Sequence, residues 1–322
     1  MTNIWLNGMM GLVVGDALGM PVQFIPRNEL KKRPVETMEG YGTYNMPPGT
    51  WSDDSSMAIA TLVSLCEKKD MDCQDIMERF AAWTTEGEYT PAGKAFDQGF
   101  TCMEAIGRYM ITKDCKTCGK TGEWANGNGA LMRIMPVCLY AYEKTKAGEW
   151  TLTEAVECVH QVSALTHNHI RSKIGCGIYY FMVCCILDGE GPLQERLQKG
   201  MDEAVEFYRR NVEGDAELEH YVRLFHLDTF SQLIEENIKS SGYVVDSLEA
   251  AVWSLITTDS LGKALLKAVN LGEDTDTVGA IAGGLAGLYY GYESIPEMWR
   301  ESIIRRDWIE GLCKMYYCTI VK

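Results

Sequence analysis

The sequence predicts an all-α protein, a compact multi-helix bundle, on three observations. Apolar residues recur at three- and four-residue spacing in one segment after another; strand-like alternation is confined to short loops; and no internal repeat or low-complexity tract interrupts the succession. With 322 residues, 46% of them hydrophobic and 23% charged, the chain is long enough for one large domain or two small ones.

Charge narrows the partners. Forty-five acidic against 30 basic residues give a net charge of −15, which disfavours nucleic acid as a ligand because that mode of binding needs a basic face. The same acidity raises the local cation concentration. The N-terminus lacks the basic start and apolar core of a secretory signal, and no run of about 20 apolar residues suggests a membrane span, so a cytoplasmic monomer is expected. Several of the 12 cysteines (Cys66, Cys138, Cys176, Cys184, Cys185) sit in apolar helical surroundings, as reduced core thiols do. Cys115 and Cys118 form a lone CxxC that leaves tetrahedral zinc half-coordinated unless Cys102 comes near.

Element by element, Ile4 to Leu18 predicts a buried helix whose glycines, Gly8, Gly11, Gly15 and Gly19, form a smooth stripe for another backbone. Asp16 inside it needs a partner, being either a carboxylate beside a functional site or a paired core acid. Pro21 ends the helix. Arg27 to Pro48, polar and carrying Pro34, Gly40, Gly42 and Pro47, predicts a long surface loop or flap. Helices follow at Ser52 to Lys68, with Met57, Ala60, Thr61, Ser64 and Leu65 on one face, and at Asp72 to Thr84, with Ile76, Met77, Phe80 and Trp83. Asp97 precedes a helix over Thr101 to Tyr109 and reads locally as its cap.

In the loop from Trp124 to Arg133, glycines set between asparagines turn backbone amides toward an anion such as a pyrophosphate. Helices at Ala155 to Ala164 and Ile170 to Leu187 flank Thr166 and His167, and a histidine at such a junction is commonly structural. From Gly189 to about Gly214 the chain is polar and charged and predicts a solvated helical insertion lying within 189–240. Tyr243, before a helix carrying Ala250, Ala251 and Trp253, lines a pocket or belongs to the core. Val278 to Tyr290 places Gly279, Gly283, Ala286 and Gly287 on one face, fit to meet the N-terminal glycine stripe, and Trp299 to Tyr317 closes the bundle.

Two acidic stretches stand out. Asp274, Asp276 and Thr277 put three hard oxygen ligands within four residues at a helix start, and Ser52, Asp53 and Asp54 do the same far upstream. A helix cap needs one side-chain oxygen, and the remaining adjacent acids repel one another unless a cation lies between them. The two stretches are therefore expected to converge on divalent metal.

Gly15-Asp16-Ala17-Leu18-Gly19, Ser52-Asp53-Asp54, Gly127-Asn128-Gly129-Ala130-Leu131-Met132-Arg133, Leu165-Thr166-His167 and Gly272-Glu273-Asp274-Thr275-Asp276-Thr277, in that order, resemble the ADP-ribosylglycohydrolase family, whose namesake removes ADP-ribose from dinitrogenase reductase. The resemblance runs from about Ile4 to about Trp299. It implies one domain over residues 1–322, an orthogonal helical bundle of that family's type. It further implies that Ser52, Asp53, Asp54, Asp274, Asp276 and Thr277 hold two Mg²⁺ ions, with Mn²⁺ as the alternative. Asp54, Asp276 and Asp97 then become the catalytic groups, Asp97 matching an acid proposed as the base. Asp16, Gln23, Asn128, Gly129, Met132, His167 and Tyr243 become the substrate-contacting set. Gln23 stands where many members carry glutamate, so a role needing a carboxylate is lost there, although the amide still accepts a hydrogen bond.

The function so implied is metal-dependent hydrolysis at ribose C1, releasing ADP-ribose from a protein side chain or small molecule. The rival readings are a hydrolase of another ribosyl or phosphoester compound and a non-catalytic ADP-ribose-binding protein.

Overall fold

Helix boundaries follow local chemistry. In the computed structural model, which describes residues 3–210 and 212–320, Asn3 caps α1 (Ile4–Gly19) by accepting from the Leu6 amide. Ser52 and Asp72 cap α2 (Asp53–Lys68) and α3 (Cys73–Glu86), and left-handed Lys69 and Gly87 end them. Then come α4 (Phe100–Thr112), α5 (Met135–Lys146), α6 (Leu152–Ala164) with a Thr151–Glu154 capping box, and α7 (Ile170–Asp188). The remaining long helices are α8 (Leu193–Tyr208), α9 (Val244–Ile256), α10 (Leu261–Val269), α11 (Thr275–Tyr290) and α12 (Arg306–Ile320). Among the described residues there is no strand, only two isolated bridges.

The crossing of α1 with α11 is made of bare backbone. A Cβ placed on Gly11 would lie 2.1 Å from the Gly283 carbonyl oxygen, and one on Gly15 would lie 2.0 Å from that of Gly279. At Gly19 the obstacle is the Thr275 carbonyl, 2.4 Å away. At Gly11 and Gly15 the approach is possible because neither helix carries a side chain there, and at Gly19 the facing Thr275 turns its hydroxyl onto the Gly19 carbonyl at 2.7 Å. Both helices are consequently buried nearly all round, and α2 is too, from Asp53 through Leu65. The single apolar face expected for α2 is thus too narrow a description, because α1, α3, α5 and α12 surround it.

One segment keeps its expected place and one differs from its sequence reading. Residues 27–48 form the expected surface segment, mostly exposed, but it is a strap pinned to the bundle: it opens with a helical turn at Arg27–Leu30 and buries Leu30, Val35 and Met38. Asn270 clamps the strap through both the amide and the carbonyl of Val35, at 2.8 and 2.9 Å. Helix α8 is amphipathic; Gln194, Glu195, Gln198 and Lys199 lie outward, while Leu197, Met201, Ala204 and Tyr208 bury against α7. Gly200 packs on the Met182 backbone, and Tyr208 shares a 2.8 Å hydrogen bond with His160, so this region is continuous with the core. Helix α7 is long and apolar enough by composition to cross a membrane, but 78% of that stretch is buried inside the bundle.

Gly15→Ala drives a methyl into the Gly279 carbonyl, and neither helix can yield without separating from the other. The substitution is expected to lower unfolding free energy by about 3 kcal/mol. Urea unfolding measures it, and an unchanged midpoint would show that the two backbones do not touch there.

Candidate active site

The site is built from two helix N-termini that the α1–α11 crossing brings together. Asp16, on α1 and fully buried, accepts from the Ser52 amide at 2.9 Å, the Ser55 amide at 3.0 Å and the Ser55 hydroxyl at 2.5 Å. This is the partner a buried acid requires, and it holds the first turn of α2 from beneath. Asp16 is therefore not on the cavity wall, and its expected place among the substrate contacts is corrected to that of a support. Above it, Ser52 donates to Asp54 Oδ2 at 3.0 Å.

The start of α11 is shaped by a strained turn. Gly272 (φ +80°) and Glu273 (φ +61°) adopt left-handed conformations, and a Cβ on Gly272 would meet the Arg27 amide at 2.6 Å. The turn is laced to the segment after α1, with Phe24 N–H donating to the Glu273 carbonyl (2.6 Å) and Glu273 N–H to that of Ile25 (2.9 Å). Asp276 Oδ1 accepts from the Thr277 amide at 2.9 Å. The Thr277 hydroxyl reaches Asp54 Oδ2 at 3.5 Å, across 223 residues of chain. One oxygen each of Asp16, Asp54 and Asp276 lie within 4.8 Å of one another.

Such crowding of buried acids is costly without a counter-charge. Burial pushes the carboxyls of Asp53, Asp54 and Asp276 well above the usual range, and neighbouring carboxylates add to the rise. Asp16 is pushed up to about 6, burial outweighing its hydrogen bonds from Ser55 and Ser52. Asp274 rises for the same reason, opposed by Asn128, which donates to its Oδ2 at 2.7 Å. Asp54 Oδ1 and Asp276 Oδ2 are buried with no hydrogen-bond partner. Unpartnered carboxylate oxygens in an all-oxygen donor set fit a hard divalent cation.

Beside this cluster opens a cavity of about 250 Å³. Asp53, Asp274 and Thr277 line it from the acidic side; Gln23, Asp97, Asn128, Gly129, Met132 and His167 line the rest. Ser52, Asp54 and Asp276 lie behind the wall, buried. Tyr243 does not line it, which corrects its placing in the substrate set: its hydroxyl takes a 3.2 Å hydrogen bond from Arg171, and the neighbouring backbone zips the Asn128 loop shut. In that zip Asn128 N–H donates to the Gly242 carbonyl and Val244 N–H to that of Asn126, each at 3.0 Å.

Asp97 is not a helix cap. Gly99 occupies the N-cap of α4 without a side-chain bond, while Asp97, at φ +52°, accepts a 2.6 Å hydrogen bond from the Tyr44 hydroxyl on Oδ1 and leaves Oδ2 buried and unpartnered. Burial and the Asp97 carboxylate push the Tyr44 phenol up, so it stays a donor. Gln23 Oε1 is likewise buried without a partner. Tyr44, Cys102, Phe24 and Phe100 escaped the sequence reading. The two phenylalanines sit at the mouth, 63% and 74% exposed. Exposure of a large apolar side chain is their only signal, and it is invisible before folding.

The sequence profile described as ADP-ribosylglycohydrolase matches residues 5–320. The chain is 33% identical over 297 residues to the ADP-ribosyl-[dinitrogen reductase] glycohydrolase of Rhodospirillum rubrum, covering 91% of this chain and 88% of that one. It is 29% identical over 311 residues to the ADP-ribosylarginine hydrolase Tri1 of Serratia proteamaculans, covering 97% and 78%. It is 26% identical over 331 residues to the ADP-ribosylhydrolase ARH3 of Bos taurus, covering 91% and 86%. A solved structure described as an ADP-ribosylglycohydrolase-related protein complex superimposes with a TM-score of 0.79 at 29% identity, covering 99% of this chain and 98% of that one.

A carboxyl whose folded-state pKa lies above its unfolded value favours the fold while protonated, so that contribution is present below about pH 4 and is lost as pH rises through the raised value, about 6 for Asp16. The metal-free protein is expected to gain more thermal stability from Mg²⁺ at about pH 7.5 than at about pH 5, where protons compete for the same oxygens. Scanning calorimetry with and without the ion reads the difference. An equal gain at both pH values would place the ion elsewhere.

Proposed function

This chain belongs to the ADP-ribosylglycohydrolase family, and we propose that it is a metal-dependent hydrolase releasing ADP-ribose from an ADP-ribosylated side chain, with arginine as the acceptor. The observation that carries the reading is the meeting of Ser52-Asp53-Asp54 with Asp274-Thr275-Asp276-Thr277 beside a cavity lined by Asp97, one carboxylate oxygen of which has no hydrogen-bond partner among the described residues.

Ser52, Asp53, Asp54, Asp274, Asp276 and Thr277 would hold the metal, two Mg²⁺ ions with Mn²⁺ as an equivalent hard cation, and Asp16 would keep the α2 ligands in register. When bound, divalent cations supply orientation of the sugar hydroxyls and a more acidic water. The rest is work for the chain's own groups. Asp97, oriented by Tyr44, accepts a proton on Oδ2 from the attacking water as the oxygen bonds to ribose C1. The bond from C1 to the guanidine nitrogen breaks, its electron pair stays on that nitrogen, and the nitrogen takes up the equivalent of the proton that Asp97 received, which returns Asp97 to its carboxylate form. Positive charge developing on the sugar lies next to Asp53 and Asp274. The Asn128-Gly129 loop, Met132 and His167, which line the same cavity, would take the diphosphate. At about 250 Å³ the cavity is smaller than the roughly 300–1,000 Å³ typical of ligand pockets, so it takes the ribose end while the remaining nucleotide extends past the mouth.

Arginine is favoured over serine as acceptor by hydrogen-bond inventory. Gln23 and Asp97 line the cavity and each carries one acceptor oxygen with no partner among the described residues; a guanidinium carries several N–H donors and a serine oxygen at most one. Gln23, a neutral amide, also motivates the second reading, a protein that binds ADP-ribose without cleaving it.

With Mg²⁺ present, ADP-ribosyl-arginine is expected to be turned over at least about tenfold faster than ADP-ribosyl-serine or simple phosphoesters, read by chromatography of released ADP-ribose. Asp54→Ala and Asp276→Asn should abolish release. Asp97→Asn should lower kcat by about 10²-fold or more with KM little changed. Tight ADP-ribose binding with no product over hours, and turnover appearing in Gln23→Glu, would establish the non-catalytic reading instead.

A further inference from the structure

Arg133 is fully buried, and among the described residues its charge has no acidic neighbour in hydrogen-bond contact. Its guanidinium donates to the carbonyls of Gly129 (3.2 Å) and Val162 (3.3 Å) and to the Thr166 hydroxyl (2.9 Å), lies 4.7 Å over the Phe80 ring, and leaves Nη1 unpartnered. A buried cation satisfied only by neutral oxygens is costly, so the arrangement calls for a purpose.

The purpose is legible one bond further on. Thr166, also fully buried, stands 2.9 Å from His167 Nδ1. A guanidinium has no acceptor, so Thr166 Oγ1 accepts from Arg133 and its own single proton is available to the imidazole. A second claimant for that proton is Cys102, whose thiol burial pushes up; kept protonated, it is a weak acceptor and donates toward the Gly129 carbonyl at 3.9 Å. The imidazole therefore receives the threonine proton on Nδ1 and carries its own on Nε2. Nε2 lies toward the glycine loop of the cavity wall, since a Cβ on Gly127 would stand 3.3 Å from it. The backbone is pinned as well, with Lys120 N–H on the Thr166 carbonyl at 3.0 Å and Asn168 N–H on the Lys120 carbonyl at 2.8 Å.

We infer that Arg133 and Thr166 are positioning residues that hold His167 in the Nε2–H tautomer, making it a fixed donor to an anionic or hydroxyl oxygen of the bound ligand. Neither Arg133 nor Thr166 lines the cavity; they act through His167. Burial, with the Arg133 charge adding, pushes the imidazole down to about 3, so it presents one N–H and no charge over the working pH range. The identity of the oxygen rests on the ADP-ribose reading above; the tautomer does not.

The test separates the two. In protein carrying nitrogen-15 histidine, the pyrrole-type and pyridine-type ring nitrogens differ in shift, and the His167 signals among the five histidines are those lost in His167→Gln. A pyridine-type Nδ1 and a protonated Nε2 are expected in the unaltered protein, retained in Thr166→Ser and lost or mixed in the near-isosteric Thr166→Val. Calorimetric titration with ADP-ribose and Mg²⁺ should show about tenfold weaker binding for Thr166→Val, the value of one hydrogen bond to a charged or polar oxygen, with Thr166→Ser close to the original. Protonation at Nδ1 in the unaltered protein overturns the inference by itself, whatever the variants do. An unchanged tautomer in Thr166→Val does so too. Absence of hydrolysis alongside the expected tautomer would count against the enzymatic reading and leave the relay standing.

Discussion

The site in this bundle depends on two helices close enough for their backbones to touch. The α1–α11 crossing sets Gly15 against Gly279 and Gly19 against Thr275, and those contacts fix where two other features fall. Asp16, one residue beyond Gly15, reaches the first turn of α2; Asp276, one residue beyond Thr275, faces it from the other side. Were the helices separated by even one layer of side chains, the helix axes would move apart by several ångströms and the two acidic N-termini would no longer share a centre. Glycine's unfavourable helix propensity is accepted here because it alone permits that approach.

The same geometry concentrates negative charge in a place where folding alone would not put it. Each N-terminal helix end tolerates an acid or two through its dipole and free amides, and both ends use that tolerance. Two ends meeting exceed it, which is why burial drives Asp53, Asp54 and Asp276 upward together and leaves carboxylate oxygens with nothing to accept from. Stability and function pull against each other at this point, as they commonly do where a site is prepared for a ligand that is itself part of the charge balance.

The rest of the cavity lining is prepared differently, by fixing proton positions. Tyr44, delivered by the strap, commits one oxygen of Asp97 and frees the other. Ser247 and Asp274 share the amide of Asn128, at 2.8 and 2.7 Å. Arg133 and Thr166 orient His167. In each case a residue behind the lining, Tyr44, Ser247 or Thr166, constrains what a lining residue can donate or accept.

Periodicity was enough to place most of the helices, because buried helices write their spacing into the sequence; Ile4–Gly19, Asp53–Lys68 and Thr275–Tyr290 lie within a few residues of where the pattern puts them. The glycine stripes announced a close helix pair, and the two hydroxyl-and-acid stretches announced a shared centre, since such chemistry at helix starts is local. What the chain's order could not express was anything set by packing between distant segments. The segment over 27–48 is legible as a surface loop, but its pinning to the bundle is not, because Leu30, Val35 and Met38 are too few and too irregularly spaced to signal burial. Helix α8 looked solvated because charge on its outer face outweighs the apolar stripe beneath. For Asp97 the chain leaves a helix cap and a catalytic acid open, and only the tertiary bond from Tyr44, 53 residues away, removes the cap; for Asp16 it leaves a functional-site carboxylate, a substrate contact and a paired core acid open, and the bonds from α2 decide for a support beside the site. Composition and spacing thus determined which elements form and which chemistry they carry; only the folded backbone decided which side chains face the cavity and which stand behind it, because that depends on helix rotation about long-range contacts and on no local pattern.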